Sequence, residues 1–322
     1  MNIRRALLLL SLLALPLVAG AQDYPNRYIR LVVPYPAGGV VDTAARTVGS
    51  KLAEILGQPV VVDNRPGGNT TIGMANVAKA PADGYTIGIT SLVHYMNPFF
   101  SKNVPYDALK DFTPIAQIGA VADIVAVNPA VPIHSVKELI EYANKNPGKL
   151  MYGSPGFGSR EHLGGLLLSR AAGIELQNIP YKGGGQAIID AMGGQLPMVI
   201  LASPSVTPQM RAGKLRALAV IDGQRSPSAP EIPTIGETIP GFAVPTNWIG
   251  ILGPAGMPKA VVDRLNSTIR KITTLPEIKR SLEAKGYDVL GDPPDPEAFL
   301  KSVKADTEVI RKIVTAAGIQ PE

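Results

Sequence analysis

Short β-rich apolar runs alternate with amphipathic helical segments from Tyr28 onward, and the alternation starts afresh near Ile124. This constrains the chain more than any other feature. Ile29 to Val33 reads as a strand; Ala45, Val48, Leu52, Ile55 and Leu56 then recur at helical spacing before Gly57, a natural helix stop. Pro59 to Val62 and Tyr85 to Thr90 predict further strands, with a short helix over Ile72 to Ala78 between them. Buried strands alternating with helices pack as a parallel sheet covered by helices.

The rhythm resumes after a proline-rich stretch around Pro105 and Pro114. Ile124 to Val127 predicts a strand, and Ser135 with Glu138 forms a capping box that opens a helix to about Asn146. Leu150 to Tyr152 is read as a strand, Ser159 to Ala172 and the region around Ala187 to Met192 as helices, and Met198 to Ala202 and Arg216 to Ile221 as strands. Ser226 to Pro245, rich in proline, is expected to be an irregular linker or crossing. Trp248 to Leu252 predicts one more strand before helices over Pro258–Thr273, Pro276–Lys285 and Pro296–Ala316. These last helices lack strands for a third sheet. The expected division is therefore a discontinuous first lobe, 22–122 with 246–322, and an inserted second lobe, 123–245.

The first 21 residues stand apart. Arg4 and Arg5 precede an apolar stretch from Ala6 to Leu15, then Pro16 and Ala19-Gly20-Ala21, the order of a secretory signal peptide cleaved near Ala21. The apolar run is shorter than the roughly 20 residues needed to span a bilayer. Its removal takes two arginines and no acid, lowering the formal charge from +5 to +3. A soluble periplasmic protein is expected.

A chain of 322 residues with 45% hydrophobic and 18% charged residues has ample core for about two domains. The absence of cysteine removes disulfide frameworks, thiolate metal sites and cysteine nucleophiles. The positive charge is scattered and aromatic residues are few, so no nucleic-acid partner is expected.

Pro36-Ala37-Gly38-Gly39, Gly153 to Ser159 and Gly183-Gly184-Gly185 each precede a predicted helix, and Pro66-Gly67-Gly68-Asn69 is similar. In an open α/β sheet such turns lie at the carboxyl ends of strands, where free N–H groups and helix dipoles can hold a small anion. The alternative is that these glycines only end elements, with Asp42 and Ser159 as helix caps.

Enzyme motifs are incomplete. Glu161 stands where a dinucleotide fingerprint needs its third glycine, Leu150 follows Gly148-Lys149 in place of a P-loop hydroxyl, and Ser154 lacks the nucleophile-elbow spacing. His94, His134 and His162 show no metal-ligand spacing. A spatial triad from Ser154 or Ser159, His94 or His162, and Asp42 stays open to the sequence, as a hydrolase-like alternative. Neither cofactor nor metal is expected. Trp248, the sole tryptophan, is read as core or as a cleft-lining residue.

The chain resembles the extracytoplasmic solute receptors of the tripartite tricarboxylate transporter system, the Bug-type periplasmic binding proteins. The resemblance rests on Pro36–Gly39 with Asp42, Val62–Gly67, Asp83–Thr86, Asp111–Ile115, Asn146–Leu150, Tyr152–Ser154 through His162-Leu163, Pro180–Gly183, Gly213–Leu218 and Trp248–Gly250, in order over nearly the whole mature chain. It implies a two-lobed Venus-flytrap α/β fold, each lobe a mainly parallel sheet flanked by helices. Such a fold closes on a small carboxylate and presents it to a two-component membrane permease, with a monomer expected and a signalling sensor as an alternative partner. Carried over, the resemblance implies that Tyr35, Ala37, Gly38, Gly39, Asp42, Gly67, Gly68 and Asn69 hold the solute from one jaw. Ser154, Gly156, Gly158, Ser159 and His162 would hold it from the other, with Ser91, His94, Tyr181 and Ser203 completing the set. No catalytic residue is implied.

Val41 stands where many relatives have Ser or Thr, and Asn69-Thr70 where a second glycine pair is common. Amino-acid-binding relatives often carry an acid where Leu201-Ala202-Ser203 stand here. An unpaired buried ammonium is costly. The sequence therefore points to a carboxylate without an amine, such as a dicarboxylate or an aromatic acid.

Overall fold

The computed structural model describes residues 24–321, and the signal segment expected at 1–21 lies outside them. In chain order, β1 (Ile29–Val33), α1 (Val40–Leu56), β2 (Val60–Asn64), α2 (Thr71–Ala78), β3 (Thr86–Ser91), α3 (Val93–Phe100) and β4 (Phe112–Val121) come first. After Ala122 come β5 (Asp123–Val127), α4 (Val136–Lys145), β6 (Met151–Ser154), α5 (Arg160–Ala172), β7 (Gln177–Pro180), α6 (Gly184–Met192), β8 (Met198–Ala202), α7 (Ser203–Arg211) and β9 (Arg216–Val220). β10 (Asn247–Pro254), α8 (Lys259–Thr274), α9 (Pro276–Glu283), β11 (Asp288–Val289) and α10 (Pro296–Ala316) complete the chain.

These strands form two sheets, ordered β11-β4-β10-β3-β1-β2 and β7-β6-β8-β5-β9. β1 is parallel to β2 and β3, while β10 runs antiparallel to both β3 and β4, so β1 to β4 share one direction. In the second sheet β6, β7 and β8 are parallel, and β5 is antiparallel to β8 and β9. The reversed central strand of each sheet is the one that enters directly after the chain has crossed from the other sheet. The carboxyl ends of the remaining major strands, and the loops that follow them, therefore point into the space between the sheets.

α1 buries Val41, Ala44, Ala45, Val48 and Leu52 on sheet one and stops at Gly57, whose φ of 68° is the left-handed cap anticipated for it. α8 and α10 pack against β4, as expected of terminal helices without a sheet of their own. Phe299 on α10 meets Trp248 edge-on at 5.1 Å. Gly165 on α5 lies directly over the Tyr152 ring, and a side chain there would collide with it. The lack of a Cβ thus lets α5 settle on β6 and aim its first turn at the interlobe space.

The capping box at α4 differs in detail from its reading. Ser135 Oγ accepts from Glu138 N at 3.1 Å, but the Glu138 carboxylate accepts from His134 N at 2.8 Å, one residue before the cap. Ser226 to Pro245 is not a loose linker. It buries Ala229, Ile232, Ile235, Phe242 and Val244 and is bridged at Val220–Thr234 and Asp222–Val244 along the second sheet.

Candidate functional site

The loop after β1 is built by its own helix. Asp42, in the first turn of α1, is buried, and its carboxylate accepts from Gly38 N (2.8 Å), Arg46 Nε (2.9 Å) and Asn64 Nδ2 (2.8 Å). Burial pushes this carboxyl up, but the bonds to Arg46, Asn64 and Gly38 outweigh it and hold it below the ordinary range. Asp42 is therefore the anchor of the Pro36–Gly39 turn, with Gly38 at φ 76°. It does not cap α1, since Gly39 holds the N-cap position. The Tyr35 hydroxyl lies 2.8 Å from Ser91 Oγ at the end of β3, and burial pushes its phenol up to about 12.

The second sheet supplies the facing wall. Ser159 is the N-cap of α5, accepting from His162 N at 3.1 Å, and Gly183, with φ 107°, precedes α6. A cavity of about 650 Å³ lies between the two walls. Its lining includes Pro36 to Val41 at the start of α1, Ser159 and Glu161 at the start of α5, Lys182 to Gln186 at the start of α6, and Ala202, Pro204 and Ser205 at the start of α7. Four helix N-termini from both lobes thus converge on one hollow. Their unpaired N–H groups and positive dipole ends favour an anion without a dedicated arginine.

Of the residues singled out from sequence, Tyr35, Ala37, Gly38, Gly39, Asn69, Ser91 and Ser159 line this cavity. The others sit outside the lining, each for a visible reason. Asp42 faces its loop, as above. Gly67 and Gly68 adopt φ of 126° and 54° in the turn that leads to α2. His94 is fully buried among Tyr95, Tyr106 and Phe112. Ser154 is buried with its hydroxyl toward Gly156 O, and Gly156 supplies a backbone turn with φ 152°. Gly158, with φ 72°, lies under Phe100, and His162 Nδ1 accepts from Gly158 N at 3.2 Å. Tyr181 donates to Asp190 at 2.8 Å, and Ser203 donates to Gly286 O at 2.6 Å.

These placements also dispose of the triad considered from sequence. His162 orders its own loop, His94 is caged, and every oxygen of Asp42 is engaged elsewhere.

Hydrogen bonds also span the cleft. Asn69 Nδ2 donates to Gly158 O at 3.2 Å and to Asn97 Oδ1 at 2.9 Å, and Ser203 reaches Gly286 from the opposite lobe.

Several lining residues escaped the sequence reading: Glu161, Lys182, Asn247 and Lys285 above all. Glu161, second in α5, looks in sequence like an ordinary acid complementing a helix dipole. Only the packing shows it buried, with burial and then the neighbouring Asp123 carboxylate pushing its own carboxyl up to about 8. Beside it, Arg160 is wholly buried between Asp123 and Asp222.

A cleft between two α/β lobes, ringed by helix starts, is the architecture of a solute receptor, and comparison with known proteins specifies which kind. The description "Tripartite tricarboxylate transporter family receptor" matches residues 44–317. The chain belongs to that family. The protein BugT of Bordetella pertussis is 34% identical over 284 residues, 87% of each chain. Among solved structures, an R. palustris protein with adipate is 34% identical, with a TM-score of 0.87 over 93% of this chain and 100% of its own. MatC from Rhodopseudomonas palustris, with bound malate, is 28% identical, with a TM-score of 0.82 over 90% and 100%. The two-lobed α/β fold and the Bug-type receptor family inferred from sequence are thus both found. As a tripartite tricarboxylate receptor, the chain is a periplasmic-type solute-binding protein.

Proposed function

We propose that this receptor captures a small carboxylate between its lobes and delivers it to a tripartite tricarboxylate permease without chemical change. The observation that carries the reading is the single hollow of about 650 Å³ into which helix N-termini of both lobes open. The adipate and malate in the related structures support an acid as cargo. The carboxylate is held by main-chain amides left free at the starts of α1, α5 and α6, those of Val40 and Val41 beside the Pro36–Gly39 turn among them, with Asn69 and Ser91 alongside. Asp42, Gly67, Gly68, Ser154, Gly156, Gly158 and His162 act by shaping those loops.

The working division is lobe one, 22–122 and 246–322, against lobe two, 123–245, after export and cleavage near Ala21. The receptor acts as a monomer and does not turn its ligand over. Solute binds the open form and stabilises closure through its contacts with both lobes.

Thermal unfolding against a panel of mono-, di- and aromatic carboxylates tests this reading. A bound acid raises Tm with concentration, since ligand at a hundred times its Kd adds about 2.7 kcal/mol. A flat response to the whole panel, or turnover of any member, rules the reading out.

A further inference from the structure

The polar groups of the cavity are unevenly distributed. Lys182 and Lys285 in its lining are both solvent-accessible, as are Ala37 and Gly38 of the turn after β1. Glu161 and Asn247 also line it but are each only 6% exposed, and both neighbour the buried Asp123 carboxylate.

Asn247 turns its Nδ2 toward Asp123 Oδ1 at 3.4 Å and leaves Oδ1 buried with no partner. Reversing the amide would set its oxygen against a carboxylate, so the orphan is an acceptor. A buried acceptor without a donor is costly, and this one belongs to a side chain that lines the cavity, where a donor on the solute can satisfy it.

Among the described residues Glu161 forms no ion pair, and the cation that acts on its carboxyl is Arg160. The adjacent Arg160 guanidinium contacts Asp123, lies 2.6 Å from Asp222 Oδ1, and donates to Pro245 O at 2.7 Å and more distantly to Val244 O. Three carboxyl groups therefore share one guanidinium in a buried cluster. Tyr35, the other titratable group near Glu161, is a neutral phenol. In the empty receptor, burial and the Asp123 charge keep Glu161 protonated up to about pH 8.

We infer that Glu161 and Asn247 form a seat for a cationic group in the cleft, so that the solute is an amino-carboxylate held acid-end to the loops. An ammonium donates to both acceptors and offsets the net negative charge of the Arg160 cluster. A second carboxylate in the same place would meet the Asn247 oxygen and that negative charge together. The sequence suggested an amine-free acid because it looked for the acid at Leu201–Ser203; the structure supplies one from α5 instead. The inference rests on the carboxylate reading above and narrows it.

Calorimetric titration with straight-chain acids of matched length decides the matter: valerate, glutarate and 5-aminovalerate, with their shorter and longer counterparts, in buffers of different ionisation heat. The ω-amino acid is expected to bind about tenfold or more tighter than the mono- and diacid of equal length. It should release a proton, because the ligand cation lowers the Glu161 pKa, and its affinity should rise with pH up to about 8. Glu161→Gln, which mimics the protonated acid, should abolish the preference and the proton release. Tightest binding by the diacid, with affinity falling as pH rises past 8, would overturn the inference and make Glu161 a proton donor to a second carboxylate. Equal affinities across the three series would overturn it as well. In both cases monoacid binding preserves the carboxylate reading, whereas failure of every acid removes that reading and the inference together.

Discussion

Arg160 and Asp222 form a wholly internal ion pair, guanidinium Nη2 to carboxylate Oδ1 at 2.6 Å, that joins the first turn of α5 to the segment leaving β9. The same guanidinium holds Asp123, where the chain has just entered sheet two, and the carbonyls of Val244 and Pro245, where it is about to leave. Both crossings between the lobes are thus tied to one side chain at the mouth of the cleft wall.

Removing that side chain leaves two buried carboxylates without a partner, which typically costs about 3–5 kcal/mol. Arg160→Leu is expected to lower the unfolding free energy by that order at neutral pH, read by denaturant titration. Protonation relieves uncompensated acids, so the deficit should shrink as pH falls toward 5. A variant as stable as the parent at pH 7 would show that the pair contributes little.

The cross-cleft contact at Asn69 predicts a different phenotype. Asn69 and Thr70 adopt φ of 48° and 80°, unusual for residues other than glycine, and Asn97 holds them through Asn69 O at 2.6 Å and Thr70 Oγ1 at 3.0 Å. Asn69→Ala deletes the bond to Gly158 and gives an alanine the same strained backbone. The expected result is a more open receptor, visible as a larger radius by X-ray scattering, with affinity reduced about three- to tenfold. Asn97→Ala should instead cost about 1–3 kcal/mol of stability, since it orphans several buried partners at once.

Much of this arrangement was legible in the chain. β1 and β8 have the bounds their apolar runs predict, and α10 runs from Pro296 to Ala316 as expected. The Pro36–Gly39 and Gly183–Gly185 loops were recognisable as cleft-facing because the α/β order puts them at strand ends. What escaped was whatever tertiary burial decides. β4 contains Pro114 and α3 contains Pro98, and each reads locally as a break; pairing with β10 and packing against the aromatic core override that signal. His94 and Tyr181 looked available for ligand because polarity is visible in sequence and direction is not. Glu161 looked like a surface acid for the same reason.

Asp42 shows how a residue outside the cavity governs it. Its three acceptor contacts fix the turn that brings Gly38 and Gly39 to the cavity wall. Asp42→Ala is expected to weaken carboxylate binding about tenfold by loosening that turn, at a stability cost of about 1–2 kcal/mol. Asp42→Asn should recover part of the affinity, because its amide oxygen can still accept from Gly38 N. Since the folded Asp42 has a lowered pKa, its contribution is complete above the ordinary carboxylate range and is lost as pH falls through it. Unchanged affinity in the alanine variant would separate this loop from the binding site.

His94 should govern acid stability without touching the ligand. Its ring is fully buried, stacked on Tyr106 at 5.1 Å and edge-on to Phe112 at 4.5 Å. Among the described residues neither ring nitrogen finds a hydrogen-bond partner, although the Ala108 carbonyl lies nearby. Burial pushes the imidazole down from 6.5 to about 3. The folded protein therefore binds fewer protons than the unfolded chain, and stability falls as pH drops below about 6.5, flattening only near 3. At pH 4 the loss amounts to about 3 kcal/mol. His94→Phe keeps the aromatic packing and deletes the titration, so its unfolding free energy should decline less steeply than the parent's between pH 6.5 and 4. Ligand affinity at neutral pH should be equal in the two proteins, because the ring lies outside the cavity lining. Parallel pH profiles would mean that the ring is solvated or protonated inside the fold.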